Sequence, residues 1–236
     1  MILKMPEFVE NPEARCPVML ALDSSQSMAG APMRELLAGI QTFRNAIQED
    51  ELASLRVEFA ITTFGAETKL IQDFTTLDGF TAPTIKAEGK TPLGGGLNLA
   101  LDHLDARKST YKRFGIPYYR PWLFLISDGA PTDGLRWQEA AMRAQEADLM
   151  NKLSFFVVGV DGADMDILTD IAPAHRAPMM LRGLAFTELF RWLSASVRRV
   201  STSYVGAQSI ALPSIEGWAA APAQGAREMR QEIINR

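Results

Sequence analysis

The chain has 236 residues, 47% hydrophobic and 22% charged, with a net charge of −4 and one cysteine. That size suits one large α/β domain, alone or with an appendage. The mild acidity gives no footing for nucleic acid or an anionic membrane, and a single cysteine excludes an internal disulfide and favours a reducing compartment.

Residues 1–16 read as an N-terminal segment without the apolar core of a signal peptide. The longest apolar runs are strand-sized, far short of the roughly 20 residues of a membrane helix, so a soluble cytoplasmic protein is expected. Cys16 stands beside the first of these runs, without a His or other base nearby in sequence, and reads as a packed thiol.

Pro17 to Leu22 is continuously apolar, the pattern of a strand buried on both faces. Pro32 sits where helices often begin, and Met33, Leu36, Leu37, Ile40, Phe43, Ala46 and Ile47 follow at helical spacing. Residues 32–49 are therefore expected to be an amphipathic helix. Strands are expected at 56–65 and 68–74. Only Gly65, Ala66 and Glu67 separate the two, so they should pair as an antiparallel hairpin.

A glycine-rich loop, GKTPLGGG at 89–96, leads into a helix from Leu97 to Leu104 or beyond. Strands at 121–129 and 152–160 alternate with helices at 136–151, 164–171 and 185–200, and an edge strand is expected at 178–182. Alternation of this kind predicts an α/β fold, a doubly wound, mostly parallel sheet with one antiparallel edge strand. The domain spans residues 17–200. Residues 201–236 are rich in Ser, Ala, Gly and Pro and read as a C-terminal extension, with a terminal helix at 226–235. Its apolar residues Ile210, Leu212, Ile215 and Trp218 are expected to dock segment 204–218 on the domain.

Ligands of a parallel α/β sheet bind at the carboxyl ends of the strands. Three polar clusters fall there: Asp23, Ser25 and Ser27 after the first strand, Thr91 in the glycine-rich loop, and Asp128 after the strand at 122–127. All are oxygen donors, with no His or Cys among them. Such a set suits a hard divalent cation, Mg²⁺ first, with Mn²⁺ or Ca²⁺ as alternatives. So few anionic ligands leave room for water or an external carboxylate in the ion's shell. The rival, a phosphate-binding loop at GKT, needs a glycine where Thr84 stands. Asp133 reads as a rim or turn residue. Asp73, Asp161 and Asp164 read as solvated or capping acids, and His103 and His175 as surface or packed histidines. Met28 and Tyr118 are candidates for the binding face. The basic, aromatic segment 108–121 is a candidate partner surface.

The stretches DSSQS at 23–27, Thr91 of GKTPLGGG, and ISDGAPTD at 126–133 resemble the von Willebrand factor A domain, in order and spacing over residues 17–200. That resemblance implies a metal-ion-dependent adhesion site held by Asp23, Ser25, Ser27, Thr91 and Asp128. The family's usual glycine inside the first motif is Gln26 here. More finely, SDGAPTD and the tail IALPSIEGW are similar to the bacterial tellurium-resistance TerY-like group. This implies a cytosolic protein-binding module of a stress-response system, working beside a kinase and a phosphatase. A partner's Asp or Glu would then complete the metal shell. The alternative chemistry for magnesium beside Ser and Asp is a hydrolase or phosphotransferase; neither a His or Lys base near the strand ends nor a D-x-D nucleophile motif supports it.

Overall fold

The computed structural model describes residues 10–206 and 211–220. Its strands are β1 (Cys16–Asp23), β2 (Val57–Phe64), β3 (Thr68–Thr76), β4 (Trp122–Ser127), β5 (Ser154–Gly159), β6 (Met179–Leu181) and β7 (Ala219–Ala220). Its α-helices are α1 (Ala31–Gln48), α2 (Glu51–Arg56), α3 (Leu93–Phe114), α4 (Arg136–Leu149), α5 (Met165–Ile171) and α6 (Phe186–Ser201). A single 3₁₀ turn, Gln26–Met28, follows β1.

The strands form one sheet in the order β3-β2-β1-β4-β5-β6-β7. Neighbours from β2 to β6 are parallel. β3 is the expected antiparallel edge, joined to β2 across Gly65–Glu67. A second antiparallel edge, β7 against β6, comes from the C-terminal extension and carries no strand signal in the sequence. Two residues of alanine are too short and too plain to read as a strand.

Alternate residues of β1 face opposite layers, as a pleated strand requires. Val18, Leu20 and Leu22 pack with Phe43 of α1 and Phe190 of α6. Met19 and Ala21 pack with Leu97 and Leu101 of α3 and Ala140 of α4. The two layers explain why β1, β4 and β5 are buried along their whole length. α1 approaches α6 closely at Gly39, where a Cβ would meet Phe190 Cδ2 at 2.5 Å.

The sequence pattern puts Gly94, Gly95 and Gly96 in a loop. Instead they form the first turn of α3. Small size, not backbone freedom, is what two of them supply. A Cβ on Gly94 would meet the Arg136 backbone carbon at 2.4 Å, and one on Gly96 the Phe64 ring at 2.3 Å. α3 is thereby seated against the start of α4 and the end of β2. Helix α2 was also missed, although Asp50 caps it by accepting from Ala53 N at 2.9 Å.

The described part of the extension lies against the α1–α6 layer. Leu212, Ile215 and Trp218 pack on that core, Trp192 Nε1 donates to Pro213 O at 2.8 Å, and Trp192 and Trp218 rings sit 6.0 Å apart. Tyr204, expected within the docked stretch, is exposed. Ile210 and the terminal helix at 226–235 fall outside the described residues. No described helix is long and apolar enough to cross a membrane.

Because Gly94 and Gly96 face backbone and ring while Gly95 has nothing nearer than 3.6 Å, the three should respond differently to alanine. Gly94→Ala and Gly96→Ala are expected to cost about 2 kcal/mol or more through overpacking. Gly95→Ala should be neutral or stabilising by up to about 1 kcal/mol from helix propensity. Urea unfolding of the three variants checks this.

Candidate functional site

β1 and β4 are neighbours at the point where the strand order reverses. Chain connections leave β1 and β4 in opposite directions there, which opens a crevice above their carboxyl ends. Asp23 closes β1, and Asp128 directly follows β4. The fold therefore juxtaposes two acids that are 105 positions apart in sequence.

Asp23 is fully buried. Its Oδ1 accepts from Ser25 N at 2.9 Å, and its Oδ2 accepts from Ser127 Oγ at 2.6 Å. Ser25 Oγ and Ser27 Oγ share a hydrogen bond of 2.9 Å, and Ser27 Oγ in turn donates to Asp128 Oδ2. Asp128 Oδ1 accepts from Ala130 N at 3.1 Å. One bonded network thus holds Asp23, Ser25, Ser27, Ser127 and Asp128.

Thr91 reaches the same place from a third element. Its loop is tied to the first by Glu88 N to Ser24 O at 2.8 Å and Gln26 N to Gly89 O at 3.1 Å. It is tied to the Asp128 loop by Thr91 N to Thr132 Oγ1 at 3.0 Å and Thr132 N to Thr91 O at 2.9 Å. Thr91 is buried between them. Asp133 continues that loop, and its Oδ2 accepts from Gly95 N at 3.0 Å at the start of α3. Its Oδ1 is buried without a hydrogen-bond partner among the described residues.

Sequence reasoning missed Ser127 and Thr132. Ser127 ends an apolar strand immediately before Asp128 and reads in sequence as part of that strand. Gly129 follows at φ +72°, donates to Ser127 Oγ at 3.1 Å, and has no room for a Cβ beside Asp164 O. A hydroxyl before Asp-Gly at a strand end was the available signal. Met28 is corrected as well: it is buried in the core rather than on the binding face.

Other acids and histidines lie elsewhere. Asp164 caps α5 through Asp166 N and Ile167 N, both at 3.1 Å. His175 Nε2 lies 3.0 Å from Asp148 Oδ2, without the angle of a hydrogen bond. Cys16 is sealed in the core, and burial pushes its thiol up to about 12, an inert state.

The electrostatics of Asp23 are unusual. Burial pushes its pKa up to about 6 against hydrogen bonds from Ser127 and Ser25 that lower it, and the charge of Asp128 raises it further. No Lys, Arg or His among the described residues forms an ion pair with either acid. A buried carboxylate facing a second one lacks positive charge, which a bound cation could supply. The donors present are carboxylate and hydroxyl oxygens, the set that hard divalent ions take. Among the described residues no three His, Cys, Asp or Glu side chains gather as a metal-holding group, at this site or at any other; here two carboxylates stand among hydroxyls.

Residues 18–189 match the family profile described as the von Willebrand factor type A domain. Solved structures with this fold include the pilus adhesin SpaC from Lactobacillus rhamnosus GG, with a TM-score of 0.62 and 14% identity over 79% of this chain and 30% of that one. A von Willebrand factor type A protein from Catenulispora acidiphila gives 0.54 and 16%, over 79% of this chain and 43% of that one. Proximal thread matrix protein 1 from the mussel byssus gives 0.53 and 13%, over 79% and 48%. The chain spans less than half the length of each of these three. No curated protein matches it.

A group held at about 6 in the fold against 3.8 unfolded favours folding below pH 4 and loses that contribution as pH rises through 6. The span amounts to roughly 3 kcal/mol. Metal-free wild type should therefore lose stability relative to Asp23→Asn between pH 4.5 and 7.5, by about 1–3 kcal/mol. Urea unfolding of both proteins in EDTA at the two pH values reads the difference. Comparing them isolates Asp23 from other acids such as the half-buried Asp50, whose pKa is lowered and whose trend is the reverse.

Proposed function

The chain belongs to the von Willebrand factor type A domain family, and from that premise we propose that it is a metal-ion-dependent protein-binding module. The observation that carries this reading is Asp23. It is a fully buried carboxylate, facing Asp128 through a relay of serine hydroxyls, with no cationic side chain among the described residues to balance it.

Asp23, Ser25, Ser27, Thr91 and Asp128 would hold the ion, Mg²⁺ in the first instance, with Mn²⁺ or Ca²⁺ as the other hard candidates. Once bound, a divalent cation supplies positive charge that an incoming carboxylate can meet. The rest is the work of this chain's own residues. Ser25 N and Ser127 Oγ fix the Asp23 carboxylate from both sides. Reciprocal Thr91–Thr132 bonds lock the second and third loops together. Ser27 and Asp128 stand less buried than Asp23, on the side a partner would approach. An Asp or Glu from another protein is the ligand this arrangement suits.

The finer reading is a bacterial cytosolic stress-response or signalling adaptor. Its support is the likeness of SDGAPTD at 127–133 and of the Leu-Pro and Trp tail to the TerY-like group. On that likeness a kinase or a phosphatase is the class of partner proposed.

A hydrolase or phosphotransferase is the rival, and the raised pKa of Asp23 is its one supporting observation. Both Asp23 oxygens, however, are already engaged by Ser25 N and Ser127 Oγ, and the residue is sealed from solvent. A general base must reach the proton it takes.

Calorimetric titration of Mg²⁺ into EDTA-stripped, dialysed protein should show one binding event that Asp23→Ala abolishes. A pull-down from native extract should then retain a partner only on wild type with Mg²⁺, and lose it in EDTA or with Asp23→Ala. Equal retention in all four conditions overturns the reading. Metal-dependent turnover of a phosphomonoester, lost in Asp23→Ala, would replace it with the enzyme.

A further inference from the structure

At the opposite end of the sheet lies a cleft of about 900 Å³, between the last turns of α3 and the starts of β4 and β5. β4 spans six residues, so this end is roughly 17 Å from Asp128. Five cations line it: Lys108, Lys112, Arg120, Lys152 and Arg176. Its single described carboxylate, Asp105, is already held by Lys108 at 2.7 Å and Arg143 at 3.1 Å. A protein of net charge −4 has thus gathered a surplus of positive charge in one place.

These cations differ in how far they are committed. Arg176 is fixed: it donates to Asp148 Oδ1 and Phe155 O, both at 2.8 Å, and its guanidinium sits 4.5 Å from the Phe156 ring centroid. Lys112, Arg120 and Lys152 make no ion pair among the described residues. Some of the charge answers helix ends, since α3, α4 and α6 all finish at this side and Lys112 is in the last turn of α3. Arg120 and Lys152 stand outside any last turn, so they are surplus to that need. Tyr118, expected on the metal face, lines this cleft instead. At its lip Val205, with Tyr204 beside it, exposes apolar surface to water.

We propose that this cleft binds an acidic peptide segment of a partner protein, one carrying an aromatic or aliphatic residue among its Asp or Glu side chains. Uncommitted cations on two separate loops and a helix end suit carboxylates spread along an extended chain. Tyr118, Tyr204 and Val205 give its apolar residue somewhere to rest. The cleft lies at the far end of the sheet from Asp23, so it does not depend on metal. A protein held here and another held at Asp23 would be bound at once, on opposite ends of one rigid sheet.

The test is fluorescence anisotropy with a labelled ten-residue peptide of alternating Glu and Tyr, in EDTA and on the Asp23→Ala background. Failure of the metal reading then leaves the result untouched. The same peptide with Gln for Glu, and ATP as a competitor, are the controls. Binding should weaken at least about tenfold in Lys112→Glu/Lys152→Glu and fall steeply as salt rises past about 0.15 M. Both lysines are exposed, so the variant should melt like wild type by circular dichroism, and Lys112→Gln/Lys152→Gln provides a milder second variant. Equal binding of the Gln peptide, or no change in either double variant, overturns the proposal. Displacement by equimolar ATP overturns it in favour of a small phosphate ligand, and absence of peptide binding overturns it outright.

Discussion

A carboxylate is buried at the end of the central strand, and among the described residues no cationic side chain stands against it. Asp23 meets only hydroxyl and amide donors, with a second acid beyond them. Desolvating a charge in this way is costly unless something pairs with it. The surrounding architecture makes sense as the means of holding that carboxylate in position. Three loops, after β1, before α3 and after β4, are stitched to one another by hydrogen bonds, and Ser127 clamps the carboxylate from the neighbouring strand.

The stitching depends on packing beneath it. Gly94 and Gly96 let α3 lie against the start of α4 and the end of β2, which brings Thr91 over the crevice. Met28, directly after the serine motif, is driven into the core between the sheet and α1, and so anchors the 3₁₀ turn that carries Ser27. Hydrophobic burial on two faces of β1 thereby fixes the polar groups at its tip to within the reach of hydrogen bonds. Position in the site is a consequence of the core.

The sheet also sets a polarity. Strand carboxyl ends gather the acids and hydroxyls, whereas the carboxyl ends of α3 and α6, with their partial negative charge, finish at the other side and carry lysine or arginine in their last turns. That division puts oxygen donors and cations about a strand length apart on one small domain. The C-terminal extension is woven into the same frame: β7 closes the sheet edge beside β6, and Trp218 rests on Trp192. Docked tail, sheet and helices give such a module a rigid body on which separate surfaces keep a fixed spacing.

Much of this was legible in the chain. Continuous apolar runs gave the buried strands because both faces of a parallel sheet are covered. Helical periodicity gave α1, α4 and α6, and the three-residue gap at Gly65 gave the hairpin. That Asp23, Ser25, Ser27 and Asp128 meet above the sheet was legible because polar groups at the ends of buried strands stand out against what precedes them, and Thr91 because it leads into a helix on the same side. Ser127 was not, since its role exists only through a partner 104 positions away. The glycines of α3 were misread because their neighbours, the Arg136 backbone and the Phe64 ring, come from other elements. The second antiparallel edge was hidden because two alanines have no pattern of their own. The cleft at the far end was present in sequence only as a basic, aromatic stretch. The sequence by itself determined which segments are strands and helices and which side chains carry oxygen chemistry, because those follow from local period and residue type. Only the tertiary structure decided which of them meet, which glycines must be small, and where uncommitted charge collects, because those depend on contacts between segments distant along the chain.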